Sequence, residues 1–403
     1  MSHPSLPPSL PPLSDSRRPT VYVVRRQSSG GGAETAATRL VEHLSASWEV
    51  HRLAAGTRIA GRKLAGGAGP GWWRALRFAD DVDAAMTELA ARADGTGQPG
   101  MILSLERGPQ CHVYRAGDGV HLRWRSLRFG SSRLWMTNPL HWLYPRLEAR
   151  TVATARLVVT NSEMVRREME QTYPQAAHKL RVVLNGFDPR RFFPNPDPNR
   201  QRARAGLLPE LNLPELTSSG PPGPCRLLLF VGSGWQRKGL ARALELLAAS
   251  NHAVGPDEPR SILLVVGKGR PERFRSLLRK WNLDSQVRFL GVRSELTQLY
   301  QAADVLILPT LYDPFANACL EAMACDCPVL TTANNGAAEV IAHGRTGYVL
   351  KSGLEGDLTD AVHWLRTANR RPGEVAESVA ALTVDREMRA FSTLMRELSR
   401  SAL

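Results

Sequence analysis

Six short apolar runs recur between Arg226 and Leu350: "RLLLFVG", "SILLVVG", "QVRFLG", "ADVLILP", "PVLTT" and "TGYVL". Each is apolar enough to be buried on both faces. That is the condition of a parallel sheet covered by helices. Segments with helical spacing of apolar residues, such as "LARALELLAAS", "PERFRSLLRKWNL" and "SELTQLYQAA", separate them. Alternating β and α elements of this kind predict an α/β domain.

A chain of 403 residues exceeds what one core ordinarily holds, and 43% hydrophobic with 22% charged residues are globular values, so two domains are expected. A second strand–loop–helix pattern lies near the start, where "TVYVVRR" runs through "QSSGGGAE" into "TAATRLVEHLSA". Another is "LVVTNSEMVRREMEQ", in which Asn161 or Ser162 caps a helix after a buried strand. "KLRVVLNGFD" adds a strand ending in an Asn-Gly turn. The expected division is a disordered Pro/Ser-rich tail (1–20), an N-terminal domain (21–190), a proline-rich connection (191–224), a second domain (225–380) and a C-terminal helix (381–403). Two such domains leave a cleft at the carboxyl ends of their strands, where open α/β sheets take ligands.

Lys and Arg number 52 against 38 Asp and Glu, and a net charge of +14 draws a protein toward an anionic partner: nucleic acid, a membrane surface or a phosphorylated substrate. No apolar run is long enough to span a bilayer, and "MSHPSLPPSLPPLSDSRRPT" lacks the pattern of a signal peptide. A cytoplasmic protein is expected. The five cysteines, Cys111, Cys225, Cys319, Cys325 and Cys327, fit reduced thiols better than a disulfide framework. Cys325 and Cys327 form a C-x-C beside Cys319 with no fourth ligand nearby, so small packing residues are the expected reading and no metal site is assigned.

The stretch "LPTLYDPFANACLEAMACDCPVLTT" carries the chemistry. A buried strand ends at Pro309, a loop carries Asp313, and a helix begins near Asn317 with Glu321 one turn inside. The free N–H groups and positive end of such a helix make an anion site. The flanking carboxylates accept hydrogen bonds from hydroxyls, which sugars offer in number. "FVGSGWQRKGLARAL" places Arg237 and Lys238 just after the domain's first strand, where a guanidinium and an ammonium can hold a diphosphate. The combination suits a sugar attached to a phosphate. The structural alternative is that both acids only complement the helix dipole.

"GSGWQRKGL", "ADVLILPTLYDPFANACLEAMACDCPVLTT" and "NGAAEVI…GRTGYVL" together resemble the C-terminal domain of retaining family-four glycosyltransferases, over about Arg226 to Leu350. The resemblance implies the GT-B fold: two Rossmann-like domains with parallel sheets facing a central cleft. Asp313 to Glu321 stands on that family's E-x7-E pattern, with aspartate in place of the first glutamate. By resemblance, Asp313 binds hydroxyls of the donor sugar, backbone amides around Phe315, Ala316 and Asn317 assist, and Glu321 holds the ribose. Gly234 lies in the donor-binding turn, and Lys238 matches the family's diphosphate lysine. The family's usual arginine is absent because Ser233 stands there, and Arg237 takes its place, as in one subgroup.

That subgroup is similar to the lipopolysaccharide core glucosyltransferases that add glucose to inner-core heptose, which share "GS…RKG" and phrases like "SGGGAE" and "YRAGDGVH". Gly30, Gly31 and Gly32 fall on the family's glycine loop, which approaches the donor phosphates and the acceptor. Asp118 falls where the subgroup has a cleft aspartate and is the expected acceptor-site residue and a catalytic candidate with Arg237, Lys238 and Asp313. His112 and His121 are both candidates for the cleft, and His121 ends the matched phrase. The implied reaction is metal-independent, retaining transfer of a hexose from a nucleotide sugar, UDP-glucose in the subgroup, with no cofactor. Galactose, N-acetylglucosamine or mannose as donor sugar, other acceptors, and a non-catalytic nucleotide-sugar-binding protein are the alternatives.

Two segments, Gly56 to Phe78 and His121 to Arg150, interleave arginine with tryptophan. Tryptophan favours the water–lipid boundary and basic residues an anionic leaflet, so these segments are expected to bind the membrane peripherally beside a glycolipid acceptor. A solvated face with core tryptophans remains the competing reading. No nucleic-acid motif accompanies them, so no nucleic-acid partner is expected. "VVGKGRPE" is a partial dinucleotide fingerprint lacking its third glycine, with Glu272 there instead, which disfavours an oxidoreductase.

Overall fold

The computed structural model describes residues 18–26, 32–66, 69–92, 100–196, 226–254, 260–351, 358–367 and 371–400. Gly30, Gly31, Cys225, nearly all of the expected tail and most of the expected connection lie outside the described residues. The chain forms two units, Met1–Leu184 together with Asp385–Leu403, and Asn185–Val384.

The first unit is built on a six-stranded sheet whose pairings are all parallel, ordered β2-β1-β5-β6-β7-β8. Its strand β1 (Thr20–Val24) leads to helix α1 (Gly32–Leu44) and edge strand β2 (Glu49–Leu53). A two-residue-per-strand hairpin, β3 (Arg58–Ile59) and β4 (Arg62–Lys63), precedes the long α2 (Gly71–Arg92). Strands β5 (Met101–Ser104) and β6 (Val113–Arg115) follow, then α3 (His121–Phe129) and α4 (Leu140–Thr154). Strand β7 (Leu157–Thr160), α5 (Glu163–Thr172) and β8 (Leu180–Val182) complete the run. Of the two candidate caps before α5, Ser162 is the one used: its hydroxyl accepts from the Val165 N–H at 3.2 Å.

Both faces of this sheet are covered. Phe78, Val82, Val152 and Val165 pack on one face with Val24, Tyr114 and Val158. On the other, Val21, Val23, Leu103 and Val159 meet Leu40 and Val41 of α1. They also meet Met388, Phe391 and Met395 of the last helix, Val384–Arg400, so the C-terminal helix completes the N-terminal core. Arg115 and Glu387, both buried, form an ion pair between β6 and that helix.

The second unit contains another wholly parallel six-stranded sheet, ordered β11-β10-β9-β12-β13-β14. All six expected apolar runs are its strands: β9 (Leu227–Val231), β10 (Ile262–Val266), β11 (Val287–Gly291), β12 (Val305–Leu308), β13 (Val329–Thr332) and β14 (Gly347–Leu350). The chain moves outward from β9 to β11 and then returns to β12, so β9 and β12 are neighbours where the strand order reverses. Loops leaving such a switch point frame the ligand crevice of open α/β sheets. Cys319, Cys325 and Cys327 are buried free thiols. Between the last two, Asp326, at φ 60, accepts from the N–H groups of Gly373, Val375 and Ala376 at 2.9–3.3 Å and so caps the helix Glu374–Val379.

Candidate active site

At the switch point of the second unit the loop after β9 meets the loop after β12. Gly239 ends the first loop with φ 83, and a Cβ there would lie 2.0 Å from the Pro309 carbonyl oxygen, so only glycine allows the approach. The Arg237 carbonyl accepts from the Leu311 N–H and the Thr310 hydroxyl, both at 2.9 Å. With the loops so tied, Arg237 Nη1 lies 2.9 Å and Lys238 Nζ 2.7 Å from the same oxygen, Asp313 Oδ2. Burial pushes the Asp313 carboxyl up, but Lys238 and then Arg237 more than offset this and hold it below its ordinary value. Two cations against one carboxylate leave positive charge in excess. The Asp313 side chain is 9% exposed and that of Arg237 is 42% exposed, so the acid is inside and the guanidinium outside.

The helix Asn317–Ala324 begins where "DPFAN" predicts, with no side chain capping it at Ala316. Phe315 and Ala316 are buried. Their approach is fixed by Asn335, whose Oδ1 accepts from the Ala316 and Ala337 N–H groups at 3.1 Å. Asn317 Oδ1 accepts from Asn185 Nδ2 at 2.8 Å, and Glu321 Oε2 accepts from the Tyr300 hydroxyl at 3.1 Å. Asp313, Arg237 and Lys238 are thus in direct contact, whereas Glu321 makes its own hydrogen bond one helical turn in. Gly234 adopts φ 72 in the turn that carries the two cations, and Ser233 Oγ accepts from the Lys268 N–H at 3.2 Å. The glycine of "VVGKGRPE" at 269 serves packing: a Cβ there would fall 2.2 Å from the Trp235 indole.

In the first unit, Asp118 stands exposed in the turn between β6 and α3. The turn is held by Arg107, whose Nη2 donates to the Asp118 carbonyl at 3.1 Å and the Gly119 carbonyl at 2.6 Å, while Nη1 lies 3.7 Å from Asp118 Oδ2. Arg107 Nε donates to Glu148 Oε1 at 2.7 Å. Burial disfavours the Arg107 charge, and Glu148 more than compensates. His121 is buried, with Nε2 3.1 Å from His141 Nδ1 and its ring against Trp124 and Tyr144. Burial, then Arg107, His141 and Arg125, push its pKa down to about 3, so it is neutral at ordinary pH. His112 is also buried, and its Nδ1 accepts from the Ile102 N–H at 3.0 Å, a role inside the sheet rather than at a surface. Gly32 opens α1.

Sequence reading missed Arg107, Glu148, Asn335, Asn185 and Tyr300. Each acts on residues far along the chain, so no local spacing marks it. Asn185 and Asn335 left a signal, the Asn-Gly turns of "KLRVVLNGFD" and "NGAAEVI".

Two family models match: "Glycosyl transferases group 1" over residues 216–378 and "Glycosyltransferase Family 4" over residues 114–191. The lipopolysaccharide glucosyltransferase WaaG of Escherichia coli is 28% identical over 201 residues, 49% of each chain. A D-inositol 3-phosphate glycosyltransferase of Corynebacterium aurimucosum is 28% identical over 235 residues, 55% of this chain and 52% of that one. The chain therefore spans about half the length of the relatives it matches. Among solved structures, WaaG superposes with a TM-score of 0.67 at 19% identity, covering 95% of this chain and 98% of that one. Sucrose-phosphate synthase from Thermosynechococcus elongatus gives 0.67 at 20% identity over 95% and 100%. Anabaena HepE, solved with UDP and glucose, gives 0.62 at 16% identity over 94% and 100%. Its two parallel-sheet units have the GT-B fold, and the chain carries glycosyltransferase domains of the group 1 and family 4 type over the matched residues.

Proposed function

We propose that this chain transfers a hexose, glucose from UDP-glucose, with retention of configuration, to a heptose or other sugar of the lipopolysaccharide core at the inner face of the cytoplasmic membrane. The observation that carries the reading is the meeting of Arg237, Lys238 and Asp313 at the switch point of the second unit. Cleaving a sugar–phosphate bond builds negative charge on the departing nucleoside diphosphate, and Arg237 and Lys238 stabilise that charge. In this reading the Asp313 carboxylate takes a donor-sugar hydroxyl. The amides of Phe315, Ala316 and Asn317 assist, Glu321 holds the ribose, and Gly31, Gly32 and Gly234 allow close approach to the phosphates. Asp118 and His121 serve the acceptor, His121 as a neutral group.

The acceptor side is proposed to rest on an anionic leaflet. No described helix is long and apolar enough to cross a membrane. Yet Trp73, Leu134, Met136 and Trp142 are exposed by 42–68%, all within the first unit. Cations accompany them: Arg125 lies 4.0 Å over the Trp135 ring and Arg77 5.7 Å over Trp73. Apolar rings among arginines suit a headgroup boundary. Co-sedimentation with vesicles should rise with anionic lipid content, and indifference to lipid charge would end this part of the proposal.

The deciding assay incubates the purified protein, without added divalent metal, with a panel of nucleotide sugars and measures released nucleoside diphosphate. Release from UDP-glucose that rises with heptose-bearing core supports the whole reading. Release only with a phosphorylated cyclitol, the second reading favoured by the D-inositol 3-phosphate relatives, keeps the transfer and discards the acceptor. Tight nucleotide binding without release from any donor leaves a binding protein.

A further inference from the structure

We infer that Arg107 and Glu148 are positioning residues for the acceptor side, a buried pair that fixes the Asp118–Gly119 turn and the start of α3. The inference rests on the transfer reading above, although the restraint on the turn stands on geometry alone.

Glu148 is fully buried on α4, and both its oxygens are used. Oε1 takes Arg107 Nε at 2.7 Å, and Oε2 takes the His121 N–H at 3.2 Å and the Tyr173 hydroxyl at 3.1 Å. Helix α3 begins at His121, and its N-cap, Val120, supplies no side-chain acceptor. Glu148 therefore caps α3 from 27 residues away, placing negative charge at the positive end of that helix. Arg107 closes the other side. With Nε committed to Glu148, its Nη2 still reaches the Asp118 and Gly119 carbonyls. Only a planar, forked guanidinium can serve a carboxylate and two carbonyls at once. The guanidinium also lies 5.8 Å over the Tyr144 ring, which restricts its tilt.

The exposed Asp118 side chain thus projects from a turn whose two carbonyls, and the N–H two residues further on, are all bonded to one buried ion pair. Such a pair adds little net stability over an apolar substitute, and its value lies in fixing one arrangement. A group held this way keeps its place against an acceptor, and a displacement of ~1 Å there can cost ~10²-fold in rate.

The test compares Glu148→Gln, Arg107→Lys and Tyr173→Phe in the full chain. The first two break the link to the turn, whereas Tyr173→Phe removes a bond to the same carboxylate without touching it. Amide hydrogen exchange over Asp118–His121 should quicken by about tenfold or more in the first two and stay at the wild-type rate in Tyr173→Phe. Acceptor-dependent kcat should fall by roughly 10²-fold with donor KM unchanged. Should Glu148→Gln not fold, Arg107→Lys decides. Unchanged exchange across the turn overturns the inference, as does faster exchange with acceptor kinetics within about twofold of wild type. A wild-type protein that transfers no sugar at all removes the transfer reading and this inference with it, a result distinct from an active wild type with indifferent variants.

Discussion

The two charged clusters, one in each unit, use the same chemistry in opposite ways. In the second unit two cations share a single carboxylate oxygen, and Arg237 remains 42% exposed. In the first, the carboxylate of Glu148 is 0% exposed, accepts on both oxygens, and its arginine is spent on backbone carbonyls. The one keeps a guanidinium open to solvent, whereas the charge of the other is consumed in holding the protein's own backbone. The lesson is that an ion pair near the carboxyl ends of a sheet does not by itself mark a binding group. What separates the two cases is whether any donor is left over.

Breaking charges that serve the backbone should cost stability, and breaking charges that face a ligand should cost turnover. The largest expected effect is at the other buried pair of the first unit. Glu387→Ala removes the carboxylate that Arg115 pairs with across β6 and the last helix and should lower unfolding free energy by about 3–5 kcal/mol in a urea titration. Next, Lys238→Ala should lower turnover by roughly 10²–10³. Stability should change far less, because Asp313 keeps Arg237. Near-normal turnover would remove Lys238 from the site.

A third effect is a shift in acid sensitivity. The folded pKa of Asp313 lies below its ordinary 3.8, so the stability it contributes is complete above that value and is lost as pH falls through the folded one. Removing the Lys238 charge brings the folded value back up, and the acid loss in thermal stability should then begin at higher pH. The smallest effect is at Tyr300→Phe, which deletes the hydrogen bond to Glu321 and should cost ~1 kcal/mol in unfolding.

The second unit was far more legible in the sequence than the first. Four of its strands are buried along their whole length, as at Leu227–Val231 and Ile262–Val266, and an unbroken apolar run announces that, whereas edge strand β11 is buried only at Val287. In the first unit, β2 is an edge strand whose residues are mostly exposed, and β6 is three residues long. Neither offers a pattern to read. The same holds for the sites. Asp313, Arg237 and Lys238 sit in turns beside strongly marked strands, and their side chains meet. Arg107 and Glu148 stand 41 residues apart, and nothing local couples an arginine after β5 to a glutamate inside α4. The resemblance that singled out His121 and Asp118 said nothing of what holds them. The amphipathic helix Val384–Arg400 was expected as an element, but which sheet it covers is a property of the fold.

That last helix has a consequence for how the molecule is made. Its residues Met388, Phe391 and Met395 close one face of the sheet begun by Thr20–Val24, yet they are synthesised after the whole of Asn185–Val384. On the ribosome the second unit, an unbroken stretch of chain, has everything it needs to fold first. The first unit emerges earlier, and although Leu40 and Val41 of α1 are already there to pack on Val21, Val23 and Leu103, that face lacks Met388, Phe391 and Met395 until the last helix is made. A nascent chain stalled before Val384 would therefore leave part of an apolar sheet face uncovered for chaperones.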